Sequence, residues 1–103
     1  MIDLEVYRPL FLEEARKRLD EVRRLLPMDD QTGMRMCFHT LRGMSGTMRY
    51  CSIASLAAAL EEGCLSEKLV REALLVLDAQ LREVEGGREL QAAPELERRL
   101  RGH

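Results

Sequence analysis

Residues 29–48 read DDQTGMRMCFHTLRGMSGTM. Within this stretch Met34, Phe38, Leu41, Met44 and Met48 recur every three or four residues, with Cys37 beside them. That spacing gathers them on one face of an α-helix, because side chains three and four apart lie above one another on the helix surface. Asp29 and Asp30 stand where a short acceptor side chain would close the free N–H groups of the first turn.

The same period continues on both sides. Upstream, Leu4, Tyr7, Phe11, Ala15, Leu19, Val22 and Leu26 form the apolar face of a long helix. Its other face is charged, with Glu13 before Lys17, Glu14 before Arg18 and Asp20 before Arg24, each an acid four residues ahead of a base. Pro9 fits this helix only in the first turn or at a kink, and Pro27 ends it. Downstream, a break is expected over Tyr50–Ser52, then a third helix capped by Ser52, with Ile53, Leu56, Ala57 and Leu60 inward and Gly63 as its stop. Ser66 caps a fourth helix lined by Leu69, Ala73, Leu74, Leu77, Leu81 and Val84 and closed by Gly86-Gly87, and a short last helix runs from Pro94 to Arg101. The chain therefore reads as all-α. Its short connections predict an up-down antiparallel four-helix bundle with an additional short C-terminal helix, in a single domain over residues 1–103.

Composition agrees with a packed core under a solvated surface, at 46% apolar and 33% charged residues. A formal charge of -2 gives no global field for holding nucleic acid or an anionic membrane, and the absence of Trp with only two Tyr and two Phe leaves little for stacking bases. The apolar runs Ala57–Leu60 and Ala73–Leu77 are far below the roughly 20 residues of a membrane span. Acids near the N-terminus do not suit a secretory signal, so a cytoplasmic setting is expected. Cys37, Cys51 and Cys64 form no close pair and read as small apolar filler rather than as a disulfide or metal framework.

Only the second helix breaks its own rules. Gly43 and Gly46 stand inside a strongly periodic segment, where each costs about 1 kcal/mol relative to Ala. They follow His39 by four and seven residues, along the same helix face. An imidazole one residue past the inward Phe38 therefore stands at the edge of the apolar stripe, beside a strip of bare backbone. Such a strip lets a partner approach the ring closely, and Arg42 adds a permanent cation suited to a phosphoryl group. The combination suits a histidine that carries phosphate. Singly, each residue has a plainer reading: a boundary histidine, glycines that permit a close helix crossing, and Ser45 as a small residue on a crowded helix.

FHTLRGMSGTMRYCSIASLAAALEE, Phe38 to Glu62, resembles the histidine phosphotransfer (HPt) domains, including the N-terminal phosphotransfer domain of chemotaxis-type histidine kinases. The likeness lies in a His, a base three residues on, a Gly, small residues, and an apolar helix ending in acids. Phe11-Leu12-Glu13-Glu14-Ala15 is also similar to the first helix of such domains, while the last forty or so residues match only in being helical. The resemblance implies that His39 accepts a phosphoryl group and passes it to an aspartate of a response-regulator receiver domain, the donor being a histidine kinase catalytic domain or a phosphodonor receiver. It implies no cofactor for the carrier itself, since Mg²⁺ belongs to the kinase or the receiver. In chemotaxis-type members a Glu on the next helix orients the imidazole, and by spacing that residue maps to Glu61, with Glu62 as the alternative. Two departures stand out: Arg42 replaces the commoner Lys, and Arg49 occupies a position, ten residues after the His, where many members have Gly.

These residues together predict a monomeric phosphocarrier, free-standing or part of a larger chemotaxis-like kinase, with a docking surface at Gly43, Gly46 and Arg49. It is not a complete kinase, for no glycine-rich ATP lid or P-loop is present. The rival readings are a helical adaptor that never carries phosphate, and a metal-binding bundle, the latter weak because the second histidine is the terminal His103 and no Glu-x-x-His pair occurs.

Overall fold

Prolines and short polar side chains set most of the helix ends. In a computed structural model, which describes Asp3–Gly102, Pro9 sits in the first turn of helix α1, Arg8–Leu25, where its missing N–H is not needed. A 3-10 turn, Leu4–Tyr7, precedes it, with the Asp3 carboxylate accepting from the Glu5 N–H. Pro27 falls in a second 3-10 turn, Leu26–Met28, and Asp29 then reverses the chain at a φ of 51°. Asp30 rather than Asp29 caps α2, Gln31–Thr47, its Oδ1 accepting from the Gly33 N–H at 2.9 Å. Helix α3, Cys51–Glu62, starts two residues earlier than expected: Tyr50 is its cap residue, without a side-chain bond, and Ser52 lies inside the first turn. Ser66 caps α4, Glu67–Glu85, through the Leu69 N–H at 3.2 Å, and α5 spans Pro94–Arg101. There is no strand among the described residues, and none of their helices is long and apolar enough to cross a membrane.

The apolar stripes become one core. Helix α1 packs against α2 and α4, and α3 packs against α2 and α4, so the four surround a shared interior. Ala15, Leu19 and Val22 of α1 meet Met34, Phe38 and Leu41 of α2 there, with Ile53, Leu56 and Leu60 of α3 and Val70, Leu77 and Leu81 of α4, all essentially without solvent contact. Fully burying a side chain of this kind stabilises by about 1.5–3 kcal/mol relative to leaving it exposed, which is why the stripes rather than propensity fix the helices.

Several sequence expectations need correction. Tyr7 is 49% exposed, because it lies in the 3-10 turn, where the 3.6-residue period no longer holds. On α4 the deeply buried residue is Val70, while Leu69 is half-buried. Cys37 is buried filler as expected, but Cys51 and Cys64 are exposed. Asp20 bonds Arg23 rather than Arg24, which turns to Glu21, because an arginine reaches an acid three residues back as readily as one four back. The Glu13–Lys17 and Glu14–Arg18 pairs do form, at 3.5 and 3.9 Å.

Helix α5 docks mainly on α3, burying Leu96 and Leu100. The joint is tight. Cys64 N–H donates to the Leu100 carbonyl at 2.8 Å, and a Cβ built on Gly63 would stand 2.4 Å from that same oxygen and 2.6 Å from the Ala59 carbonyl. Gly63 therefore both ends α3 and lets α5 lie against its end.

Candidate functional site

His39 lies on the solvent side of α2, its side chain 72% exposed, one residue past the fully buried Phe38. The backbone alongside it is bare. A Cβ built on Gly43 or on Gly46 meets no atom within 4 Å, so neither glycine makes room for another helix of this molecule. That removes the close-crossing explanation and leaves two residues that lower helix stability with no internal contact to require them.

The end of α3 supplies the charged half of the site. Glu61 Oε1 lies 2.7 Å from His39 Nδ1, and Glu61 Oε2 accepts from Arg42 Nη1 at 3.2 Å. The carboxylate is thus shared between a ring nitrogen and a guanidinium, and the His39 hydrogen bond, then Arg42, holds its pKa below the ordinary carboxylate range against the opposing effect of burial. A carboxylate kept ionised accepts a hydrogen bond only from an N–H. The geometry therefore selects the tautomer with the proton on Nδ1 and leaves Nε2 with its lone pair toward solvent.

Glu62, the alternative orienting acid, does not contact His39. It accepts from Arg42 at 3.4 Å, and Arg101 of α5 lies 3.5 Å from its other oxygen. Arg42, expected as a free cation for a phosphoryl group, instead occupies both acids of α3 in this structure. The reason is the chain reversal between α2 and α3, which sets the last turn of α3 beside the middle of α2. Ser45 is fully buried and its hydroxyl has no partner, so it serves as a small residue on the inner face of α2.

Arg49 is exposed and adopts a φ of 64°, in the left-handed region. It follows the cap residue Met48 at the end of α2. Arg49 N–H bonds the Gly46 carbonyl at 3.1 Å and Tyr50 N–H bonds the Ser45 carbonyl at 2.9 Å, the paired closing bonds of a Schellman motif. The left-handed residue of that motif is most often glycine, so Arg49 takes a place where a side chain carries a backbone cost.

Two contributors escaped the sequence reading. Arg35, one turn before His39, donates Nη1 to the Glu61 carbonyl at 2.7 Å. An apolar groove lined by Leu4, Tyr7, Leu10, Phe11, Met44 and Met48 borders the bare strip on the α1 side. Leu10 of that lining is 57% exposed. Most groove residues belong to the periodic stripes, but the groove itself depends on the 3-10 turn that leaves Tyr7 half exposed, and the Arg35 bond joins residues 26 apart in sequence. Among the described residues no group of three His, Cys, Asp or Glu is placed to hold a metal ion.

A family model described as "Hpt domain" matches residues 6–100. No curated protein and no solved structure matches the chain.

Proposed function

This chain belongs to the Hpt domain family, whose role is histidine phosphotransfer in two-component signalling, and on that premise we propose that His39 is the residue that carries the phosphoryl group. The single observation that carries this reading is the Glu61–His39 pair beside an open helix face. In the proposed reaction the Nε2 lone pair attacks the phosphorus of the donor, either ATP held by a histidine kinase or the acyl phosphate of a donor receiver. The bond from phosphorus to the donor oxygen breaks, and an N–P bond forms.

Throughout, Nδ1 keeps its proton. The ring gains positive character as the N–P bond forms, and the Glu61 carboxylate 2.7 Å away opposes that charge, so the same contact that selects the tautomer also favours the phosphorylated ring. In the second transfer a receiver aspartate attacks the phosphorus, the N–P bond breaks and neutral imidazole is regenerated. Mg²⁺ belongs to the partner's site in both steps. The chain carries the group and catalyses neither step alone. Gly43 and Gly46 admit the partner, and the adjoining apolar groove offers it a surface to cover. Phosphate on the ring would compete with Glu61 and Glu62 for Arg42, making Arg42 a cation recruited on phosphorylation.

The short links between successive helices support an up-down antiparallel order for α1 to α4, and the reading is of one cytoplasmic domain acting as a monomer. Glu61 at the end of the next helix supports the likeness to chemotaxis-type members. Incubation with candidate kinases, ATP and Mg²⁺ should give acid-labile, base-stable phosphate on the wild-type chain and none on His39→Gln. A variant without His39 that still accepts phosphate at normal yield would overturn the assignment, and no labelling of the wild type by any such kinase would favour the adaptor.

A further inference from the structure

Glu61 is held from two directions. Its carboxylate is engaged by His39 and Arg42, but its backbone is also fixed, from α2. Helix α3 ends at Glu62, and its last intrahelical bond runs from Gly63 N–H to the Ala59 carbonyl at 2.8 Å. The next amide, Cys64 N–H, turns away to the Leu100 carbonyl of α5. The carbonyls of Leu60 and Glu61 are therefore end groups without a helical donor. Arg35 supplies one: its Nη1 bonds the Glu61 carbonyl at 2.7 Å and reaches the Leu60 carbonyl at 3.5 Å, in a half-buried position. A cation at this end of a helix also complements the partial negative charge of its free carbonyls.

Arg35 and His39 are one turn apart on the same helix. One thus clamps the main chain of Glu61, while the other receives its side chain. We propose that Arg35 is a positioning residue for phosphotransfer: by fixing the Glu61 backbone against α2, it sets the carboxylate within reach of Nδ1 and so maintains the Nδ1–H tautomer of His39. This rests on the reading of Glu61 as the orienting group.

The tautomer is read directly by ¹⁵N–¹H NMR of the His39 ring, with no kinase present. Arg35→Met keeps the length and apolar stem but removes the donors. It should lower the Nδ1–H population toward the Nε2–H form favoured by free histidine, and slow phosphorylation by about tenfold, as loss of an outer orienting contact typically does. Arg35→Lys, which retains a donor and the charge, should restore most of both. Glu61→Ala belongs in the same series: if it leaves the tautomer unchanged, the orienting role of Glu61 falls. If Glu61→Ala shifts the tautomer but Arg35→Met does not, only the role of Arg35 falls. A rate loss in Arg35→Met with an unchanged tautomer would likewise overturn the proposal, because it marks a merely structural residue. Should Arg35→Met fail to fold, Arg35→Gln takes the same measurements, with the same outcomes decisive.

Discussion

Glycines do opposite work at two places in this molecule. On α2, Gly43 and Gly46 face open space, and a Cβ added at either meets no neighbouring atom within 4 Å. At the joint of α3 and α5, Gly63 is pressed between the Ala59 and Leu100 carbonyls, where even a methyl group overlaps backbone oxygen. Gly63 is explained from inside the fold. The α2 pair is not, and on the proposed reading it serves an encounter with another molecule. On that reading the difference separates a glycine that the structure needs from glycines that the proposed function needs.

The sharpest way to break this contrast is at the joint. Gly63→Ala forces backbone apart at a site that cannot give like a flexible side chain, so it should cost on the order of 3 kcal/mol. For a chain of this size that lowers Tm by roughly 12–24 °C. An unchanged melting curve would dissolve the contrast.

At the open strip the pattern should reverse. Gly43→Leu and Gly46→Leu should leave Tm equal or higher, because Leu is the better helix former and its Cβ meets no neighbour. Transfer to a receiver should nonetheless fall by about 10²-fold, the effect of holding reacting groups even an ångström from their place. A marked loss of stability in either variant would return these glycines to the structural class.

A smaller effect is expected at the end of the same helix. Arg49 occupies the left-handed position of the Schellman motif at a φ of 64°, a conformation that L side chains other than Asn and Asp adopt at a cost. Arg49→Gly should therefore stabilise the chain by about 1 kcal/mol, read as a rise in Tm, the reverse of Gly63→Ala. If the arginine also meets a receiver, the same variant will change transfer without lowering stability, while an unaltered rate would confine its role to the turn.

Much of this was legible in the sequence. The period of Met34, Phe38 and Leu41 predicted the buried face of α2, and Ser66 and Pro94 marked helix starts because capping and proline chemistry act over three or four residues. His39 and its glycines stood out for the same local reason: they contradict the helix around them. Contacts that join distant segments left no such mark. Nothing in the spacing of Gly63 distinguishes a helix stop from a seat for α5, and nothing near Arg35 announces that it bonds the Glu61 carbonyl. Arg42 looked like a free cation because the acids that occupy it arrive only when α3 folds back on α2. The exposed Cys51 and Cys64 show the converse, apolar residue types that the fold left outside.

The most direct test of the account is ¹⁵N NMR of the phosphorylated protein with histidine labelled at both ring nitrogens. With Nδ1 held by Glu61 and Nε2 open to solvent, the phosphoryl group must appear on Nε2 of His39, with the Nδ1 proton retained. Phosphate on Nδ1 of His39, or on any other residue, would contradict it.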